Sequence, residues 1–414
     1  MDDKTKKELE QIMKDRSKDF KVQEVVILVL ITCIFSFFAG FSFSRMKDNP
    51  KVLQKQSDDN STALQEFIKE YQSIVQSYYG EVDEEKLLSA ALKGVLEEIG
   101  DDYSVYMDDD DYSNLNLNLE GSYSGIGISI YKDLSTNNMI IASVFENSAA
   151  DKAGLKENDV ILSVDGESVK ELTTSDFSQK VLKSSKKQFV LRISRNGKEL
   201  DIKVSKSGVV IPSVTSKKFE KNGKRIGYLY VSIFANNTSK QFEEELSKLE
   251  NEGIDSLIID VRNNTGGHLT TVSDMIDLFM DSDHIAYQLE QNGKRTKVHS
   301  GGKENKEYPI VLIANSSSAS ASEVLIASLK ENLGATIIGE KTYGKGTVQE
   351  LKTLTSGDKY KLTTKKWLTP KGNWVNDTKG IAPDIEVSLS DKYAKNPSDE
   401  TDDQLQRALE ELSK

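Results

Sequence analysis

Between about residues 207 and 387 the chain alternates apolar runs with stretches of helical spacing, and that alternation limits the possible folds more than any other feature. IGYLYVSI precedes a helix expected from about Ser239 to Glu252. SLIIDV precedes one near Thr271 to Met280, YPIVLIAN one over Glu323 to Asn332, and ATIIG closes the series. Strands that return after each helix run parallel and are joined by right-handed crossovers. The later segments LTTKKWLTPKGNWVN and GIAPDIEV read as added antiparallel strands and turns.

In an open parallel sheet the loops leaving the carboxyl ends of the strands gather at one rim, where active sites form. Three unusual loops leave three of these strands: RNNTGG (Arg262 to Gly267), SSSASASE (Ser316 to Glu323) and EKTYGKGT (Glu340 to Thr347). The serine loop enters a helix, so a hydroxyl there meets free N–H groups and the positive end of the helix dipole, a setting that stabilises an oxyanion. N-capping by Ser320 or Ser322 is the plainer use of a serine at this place.

A serine becomes a nucleophile only beside a base. The single cysteine, Cys33, lies far away in the sequence, and the three histidines, His268, His284 and His299, lack metal-ligand spacing. Lysine remains as the base. Lys345, between Gly344 and Gly346, can be buried by neighbouring strand ends, and burial lowers a lysine pKa toward neutrality. GEKTYGKG also approaches a phosphate-binding loop. It has Gly346 where the magnesium-binding hydroxyl belongs, however, and the following TVQELKTL reads as extended rather than helical.

Elsewhere the chain divides by composition. Its 414 residues carry a formal net charge of −12, which excludes the basic field that nucleic acid requires. Val25 to Phe43 is uncharged and long enough to span a membrane, without an A-x-A cleavage pattern after it. Residues 25–44 are therefore expected to form a single-pass signal-anchor. The lysines and arginine before it place residues 1–24 in the cytoplasm and the bulk outside the cell membrane. A linker (45–61) and a helical region (62–118) follow. In the latter, Phe67, Tyr71 and Ile74 share one stripe and Leu87, Leu88, Leu92 and Leu96 another. Asp108 to Asp111 lacks the ligand pattern of a calcium loop and reads as a solvated turn.

Residues 119–206 are short β-rich runs. They include SGIGISIY, NMIIASVF, DVILSVDG and a hairpin about Asn196-Gly197. GIGI followed by NSAADKAGLKENDVILSVDG resembles a PDZ domain. That resemblance implies that N–H groups of the loop Tyr123, Ser124, Gly125, Ile126, Gly127, with Ile128, hold a peptide's terminal carboxylate while the peptide adds as a strand. The two glycines by themselves say only that the turn is tight. A peptidase domain (207–390) and a tail helix (391–414), with Leu405, Leu409 and Leu412 in register, complete the chain.

From about Val82 to Val387 the sequence resembles the carboxyl-terminal processing, or tail-specific, proteases, a Ser/Lys peptidase family. The likeness lies in VDEEKLLSAALKGVLEEIGDDYSVYMD, DVRNNTGG, SASASE, GEKTYGKGTVQ, LTPKGNWVN and GIAPDIEV. It implies an α/β protease core preceded by a PDZ module, acting on protein or peptide tails through an acyl-enzyme, with no cofactor or metal. Ser320 would be the nucleophile, Lys345 the base and Gln349 the lysine's assistant. The N–H groups of Ala321 and Gly266 would form the oxyanion hole, with Gly267 not separable from Gly266 by sequence. A catalytically inactive PDZ scaffold or adaptor is the competing reading, and it would make Ser320 and Lys345 expendable. Amphipathic helices at both ends of the soluble part are compatible with a homodimer or a regulatory partner, although such helices more often pack on their own domain.

Overall fold

The computed structural model describes residues 57–354 and 357–414, so the expected membrane span at residues 25–44 lies outside the described residues. Among the described residues no helix is long and apolar enough to cross a membrane. The chain divides into two units, residues 1–88 and 89–414. The first holds α1 (Ser57–Ser77) and the start of α2 (Glu84–Ile99), whose first turn carries Glu84 and Glu85 at the positive end of the helix dipole. These are the two helices expected from the spacing.

After the rest of α2, the second unit continues with β1 (Val105–Met107) and α3 (Asp109–Glu120). The acidic run expected as a solvated turn is instead the start of α3. Asp108 caps the helix by accepting the Asp111 N–H at 2.7 Å, and Gly121, at φ 64°, ends it.

A β-rich module follows: β2 (Ser122–Gly125), β3 (Ile128–Asp133), β4 (Asn138–Val144), α4 (Ala149–Lys152), β5 (Val160–Val164), β6 (Glu167–Ser168), α5 (Thr174–Lys183), β7 (Gln188–Arg195) and β8 (Lys198–Ser205). Its sheet runs β3-β4-β5-β7-β8, with β6 on β5. Alternate residues Met139 and Ile141, and Phe189, Leu191 and Ile193, point into one core with Phe177 and Val181 of α5. The expected hairpin is present. Asn196 and Gly197, at φ 52° and 76°, supply the two left-handed residues that a tight two-residue turn needs.

The remaining elements are β9 (Ser207–Val210), β10 (Val214–Lys221), β11 (Lys224–Val231), α6 (Thr238–Asn251), β12 (Ser256–Asp260), α7 (Leu269–Asp277), β13 (Ile285–Gln291), β14 (Lys294–His299), β15 (Ile310–Ala314), α8 (Ala321–Leu333), β16 (Thr336–Gly339), β17 (Thr347–Thr353), β18 (Lys359–Leu368), β19 (Ile385–Glu386), α9 (Asp391–Lys395) and α10 (Asp403–Leu412). The main sheet has the order β10-β11-β12-β15-β16-β19, parallel from β11 onward. Every residue of β12 and β15 is buried, as strands covered on both faces require. Two points differ from the sequence reading. β19 joins β16 in parallel rather than antiparallel, and IAYQLEQNGKRTKVH forms a hairpin, β13–β14, that pairs with β18 in a second, antiparallel sheet with β1 and β17. Its Asn292-Gly293 turn was visible in the sequence, but it lies between the helix expected near Thr271 to Met280 and YPIVLIAN, a stretch to which the sequence reading gave no element.

The tail helix α10 packs on its own domain. Leu405, Ala408 and Leu409 cover Ile226, Ile258, Val311, Ile313 and Ile338 on the sheet face opposite α6–α8. A buried ion cluster fixes it there. The Arg262 guanidinium, just beyond β12, donates to Asp260, to both oxygens of Asp402 (3.0 and 2.8 Å) and to Gln404. Asp402 is also the N-cap of α10. Asp402→Ala therefore leaves a buried guanidinium with one carboxylate and removes a cap. The expected loss is about 3 kcal/mol or more, read as a lower urea midpoint at unchanged slope. A loss below about 1 kcal/mol, the worth of a cap alone, would show that the ion cluster does not hold the helix.

Candidate active site

Three strand ends supply the site. Beyond β12 the chain turns through Asn263, at φ 59°, to the Gly266-Gly267 pair; beyond β15 it runs through Ser316–Ala319 to Ser320; beyond β16 it runs to Lys345. Ser320, Ala321, Gly266, Gly267, Lys345 and Gln349 all line one cleft of about 640 Å³. Its other walls include Leu115, Leu119 and Glu120 of α3, together with Lys361 and Trp367 of β18.

The loops are joined chiefly through two side chains that the sequence reading did not single out. Asn264, fully buried, donates from Nδ2 to the Val231 carbonyl at 2.9 Å, and its backbone carbonyl accepts from the Ala319 N–H and the Ser322 hydroxyl. Glu323, also fully buried, lies in the first turn of α8. One of its oxygens accepts the N–H groups of Ser320 (2.9 Å) and Lys345 (2.8 Å). The other accepts the Thr342 hydroxyl (2.6 Å) and the Gly344 N–H (2.7 Å). One carboxylate thus holds the serine loop and the lysine loop together. The Ser-x-x-Glu spacing of a helix start was the available signal.

Ser320 stands at the N-cap position of α8, but with φ 56° and ψ −115° rather than the extended backbone usual for a capping residue. A non-glycine residue with positive φ is strained, and such strain persists only where the surroundings enforce it. Here the Glu323 carboxylate grips its N–H. Gly266 lies so close that an added Cβ would come within 2.9 Å of the Ser320 Cβ and 3.1 Å of the Ala321 nitrogen.

The Gly266 N–H, expected as an oxyanion donor, already donates to Asn264 Oδ1 at 2.9 Å. Its carbonyl accepts from Phe234, and the His268 N–H donates to the Phe234 carbonyl. No hydrogen bond holds the Gly267 N–H among the described residues, and the same is true of the Ala321 N–H at the helix start.

Lys345 is half-buried. Its carbonyl accepts from the Trp367 indole at 2.8 Å, and its Nζ lies 4.2 Å from the centre of the Tyr103 ring. Burial, aided by the positive charge of Lys361, brings its pKa down to about 8. Asp101 and Glu323 pull the other way. Its flanking glycines are steric requirements. A Cβ on Gly346 would meet the Trp374 indole nitrogen at 2.4 Å, and one on Gly344, at φ 94°, would meet the Gly380 nitrogen at 2.6 Å. The segment that follows is the strand β17, so the helix a phosphate-binding loop needs is absent there. Gln349 faces the same cleft, yet its amide donates to Thr347 (2.9 Å) and Thr363 (3.0 Å) rather than to Lys345. Tyr123, Ile126 and Ile128 line a separate groove of about 560 Å³ between β3 and α5.

Models of known families match three stretches: peptidase family S41 over residues 225–387, a PDZ domain over residues 114–194, and the N-terminal domain of the activating protease CtpB over residues 30–111. The carboxy-terminal processing protease CtpB of Bacillus subtilis (strain 168) is 36% identical over 371 residues, spanning 87% of this chain and 76% of that protein. CtpA of the same organism is 32% identical, over 90% and 79%. A crystal structure from Bacteroides fragilis grouped with the S41 proteases superposes with a TM-score of 0.52 at 17% identity, over 83% of this chain and 96% of that one, a likeness that concerns the fold alone.

Glu323→Gln keeps the shape of the clamp and turns one acceptor oxygen into a donor facing N–H groups. A displacement of roughly 1 Å at a reacting group costs on the order of 10²-fold in rate. The expected result is a fall of about that size in kcat with KM nearly unchanged, measured with a peptide substrate. A kcat within a few-fold of wild type would mean that the clamp does not set the geometry.

Proposed function

Because the chain belongs to peptidase family S41, among the carboxy-terminal processing serine proteases, we propose that it is a membrane-anchored endopeptidase that captures protein tails in its PDZ groove and cleaves them by a Ser320/Lys345 mechanism. One observation carries the chemistry. A serine in a strained strand-to-helix turn and a half-buried lysine with its pKa brought down to about 8 are tied to the same carboxylate at the rim of one cleft. A scaffold reading gives no reason for either the strain or the burial.

In this proposal neutral Lys345 takes the Ser320 hydroxyl proton as Oγ bonds to the scissile carbonyl carbon. The developing oxyanion is met by the Ala321 N–H and, since Gly266 is committed to Asn264, by the Gly267 N–H. As the C–N bond breaks, the Lys345 ammonium returns the proton to the leaving amine. Water, deprotonated by the same lysine, then releases the acyl group as a new carboxylate. Gln349 assists the lysine from the wall of the same cleft, with its amide oriented by Thr347 and Thr363. Residues 25–44 would anchor the chain with its catalytic part outside the cytoplasm.

With the full chain in detergent and β-casein as an unfolded substrate, Ser320→Ala and Lys345→Ala are each expected to lower cleavage by at least about 10³-fold. Equal activity in either variant would reject the Ser/Lys assignment.

The base works only when neutral, so kcat/KM should rise with pH through a limb centred at about 8. Lys361→Met removes a positive neighbour, stabilises the Lys345 ammonium and moves the limb to higher pH. Asp101→Asn removes a negative neighbour and moves it lower. Shifts in the same direction for both variants would contradict Lys345 as the titrating group.

A further inference from the structure

Asp101 to Ser104, the turn that leads into β1, is pinned to β18 and brings one aromatic ring to the catalytic lysine. The Ser104 hydroxyl accepts the Thr363 N–H at 3.0 Å and donates to the Asp101 carboxylate, and the Ser104 N–H donates to the Asp101 carbonyl at 2.9 Å. Ser104 is buried, so this hook is shielded from water. Tyr103 therefore starts from a fixed place. The Lys345 amine stands over its ring, with Nζ 4.2 Å from the ring centre, and its hydroxyl donates to the Tyr343 hydroxyl at 3.4 Å. Tyr343 lies two residues before the lysine, and its own N–H donates to the Ser318 carbonyl of the serine loop at 3.0 Å. Among the described residues Nζ makes no hydrogen bond and no ion pair, and the ring face is what it rests on.

A general base needs a neighbour that holds its cation only weakly. A carboxylate bonded to the amine would favour the charged form and keep the lysine protonated well above neutrality. An aromatic face attracts an ammonium through the ring quadrupole, yet it claims no particular N–H and leaves the lone pair of the neutral amine free to take a proton. We infer that Tyr103 is a positioning residue for the reaction: the face of its ring seats the Lys345 amine and steadies the positive charge that forms there as Ser320 loses its proton. The inference rests on the Ser/Lys reading. Other groups act on the same amine. Lys361 of β18 opposes its charge, while Asp101, before β1, and Glu323 of α8 favour it. The phenol does not compete for the proton, because burial, with Tyr343 beside it, pushes its pKa up and keeps it neutral.

The test uses the full chain in detergent and fluorescently labelled β-casein, with kcat/KM followed against pH for wild type, Tyr103→Phe, Tyr103→Leu and Tyr103→pentafluorophenylalanine, the last introduced by nonsense suppression. Phenylalanine keeps the ring face and is expected to leave the limb at about 8. Leucine keeps apolar bulk without such a face, and the fluorinated ring keeps the shape with the sign of its face reversed. Both withdraw support from the ammonium, so its pKa falls and the limb moves to lower pH by roughly half to one pH unit. The loss of the seat also lowers the plateau, by about tenfold. Where leucine disturbs the fold, the fluorinated variant decides. A limb that it leaves in place overturns the inference, since that ring differs from phenylalanine mainly in its face. A limb moved as far by phenylalanine overturns it too and assigns the effect to the hydroxyl on Tyr343. Movement to higher pH overturns it by showing that the ring acts only by burying the lysine. If Ser320→Ala cleaves as fast as wild type, the Ser/Lys reading fails and this inference with it.

Discussion

The buried Glu323 carboxylate is the interaction on which the site depends. It accepts four hydrogen bonds, from Ser320, Thr342, Gly344 and Lys345, and so joins loops that leave two different strands. An ionised carboxylate is tolerated in a protein interior only when its oxygens are satisfied, and a network of this kind rigidifies when it is complete. The same carboxylate accounts for the backbone of Ser320. A positive φ at a serine is unfavourable, and the grip on its N–H, with Gly266 packed beside it, keeps it there.

The sheet makes this clamp possible. Parallel strands β12, β15 and β16 are neighbours and end at one rim, so their following loops meet without long excursions. Stability of the rim is shared with distant parts of the chain. Asn264 ties the glycine loop to β11, and Arg262, two residues earlier, ties the same loop to α10 through Asp402. The antiparallel sheet adds Trp367 and Lys361 to the cleft, and with them part of the environment that lowers the Lys345 pKa. Helix α3 borders both the cleft and the groove. Leu115 and Leu119 line the cleft, while Asn114 and Leu117 line the groove where tails are proposed to bind.

Much of this was legible in advance, and the reasons differ from part to part. The parallel strands were readable because strands buried on both faces must be continuously apolar, and SLIID and IVLIA are. The three loops were readable as unusual runs at strand ends, and Lys345 was singled out by setting aside cysteine and histidine chemistry, whereas Ser320 was named through the family resemblance. The β13–β14 hairpin was missed although Asn292-Gly293 announces it, because the sequence reading passed from the helix ending near Met280 to the strand YPIVLIAN and gave the residues between no element. The acidic run at Asp108 was read as a solvated turn because it lacks the ligand pattern of a calcium loop. That reading left out the attraction of carboxylates to a helix N-terminus, which Asp108 caps.

The sequence by itself determined the order of modules, the strand and helix periodicities, and the chemical types available for catalysis, because these follow from local pattern and composition. Tertiary structure alone decided which donor of the Gly266-Gly267 pair is open, since that turns on one hydrogen bond to Asn264 Oδ1. It also decided the Lys345 pKa, which reflects burial and charges contributed by Asp101 and Lys361. Lastly, it decided that Glu323 serves two loops and that the Tyr103 ring lies against the Lys345 amine. Distances and burial between residues far apart in the chain set each of these, and no pattern along the chain encodes them.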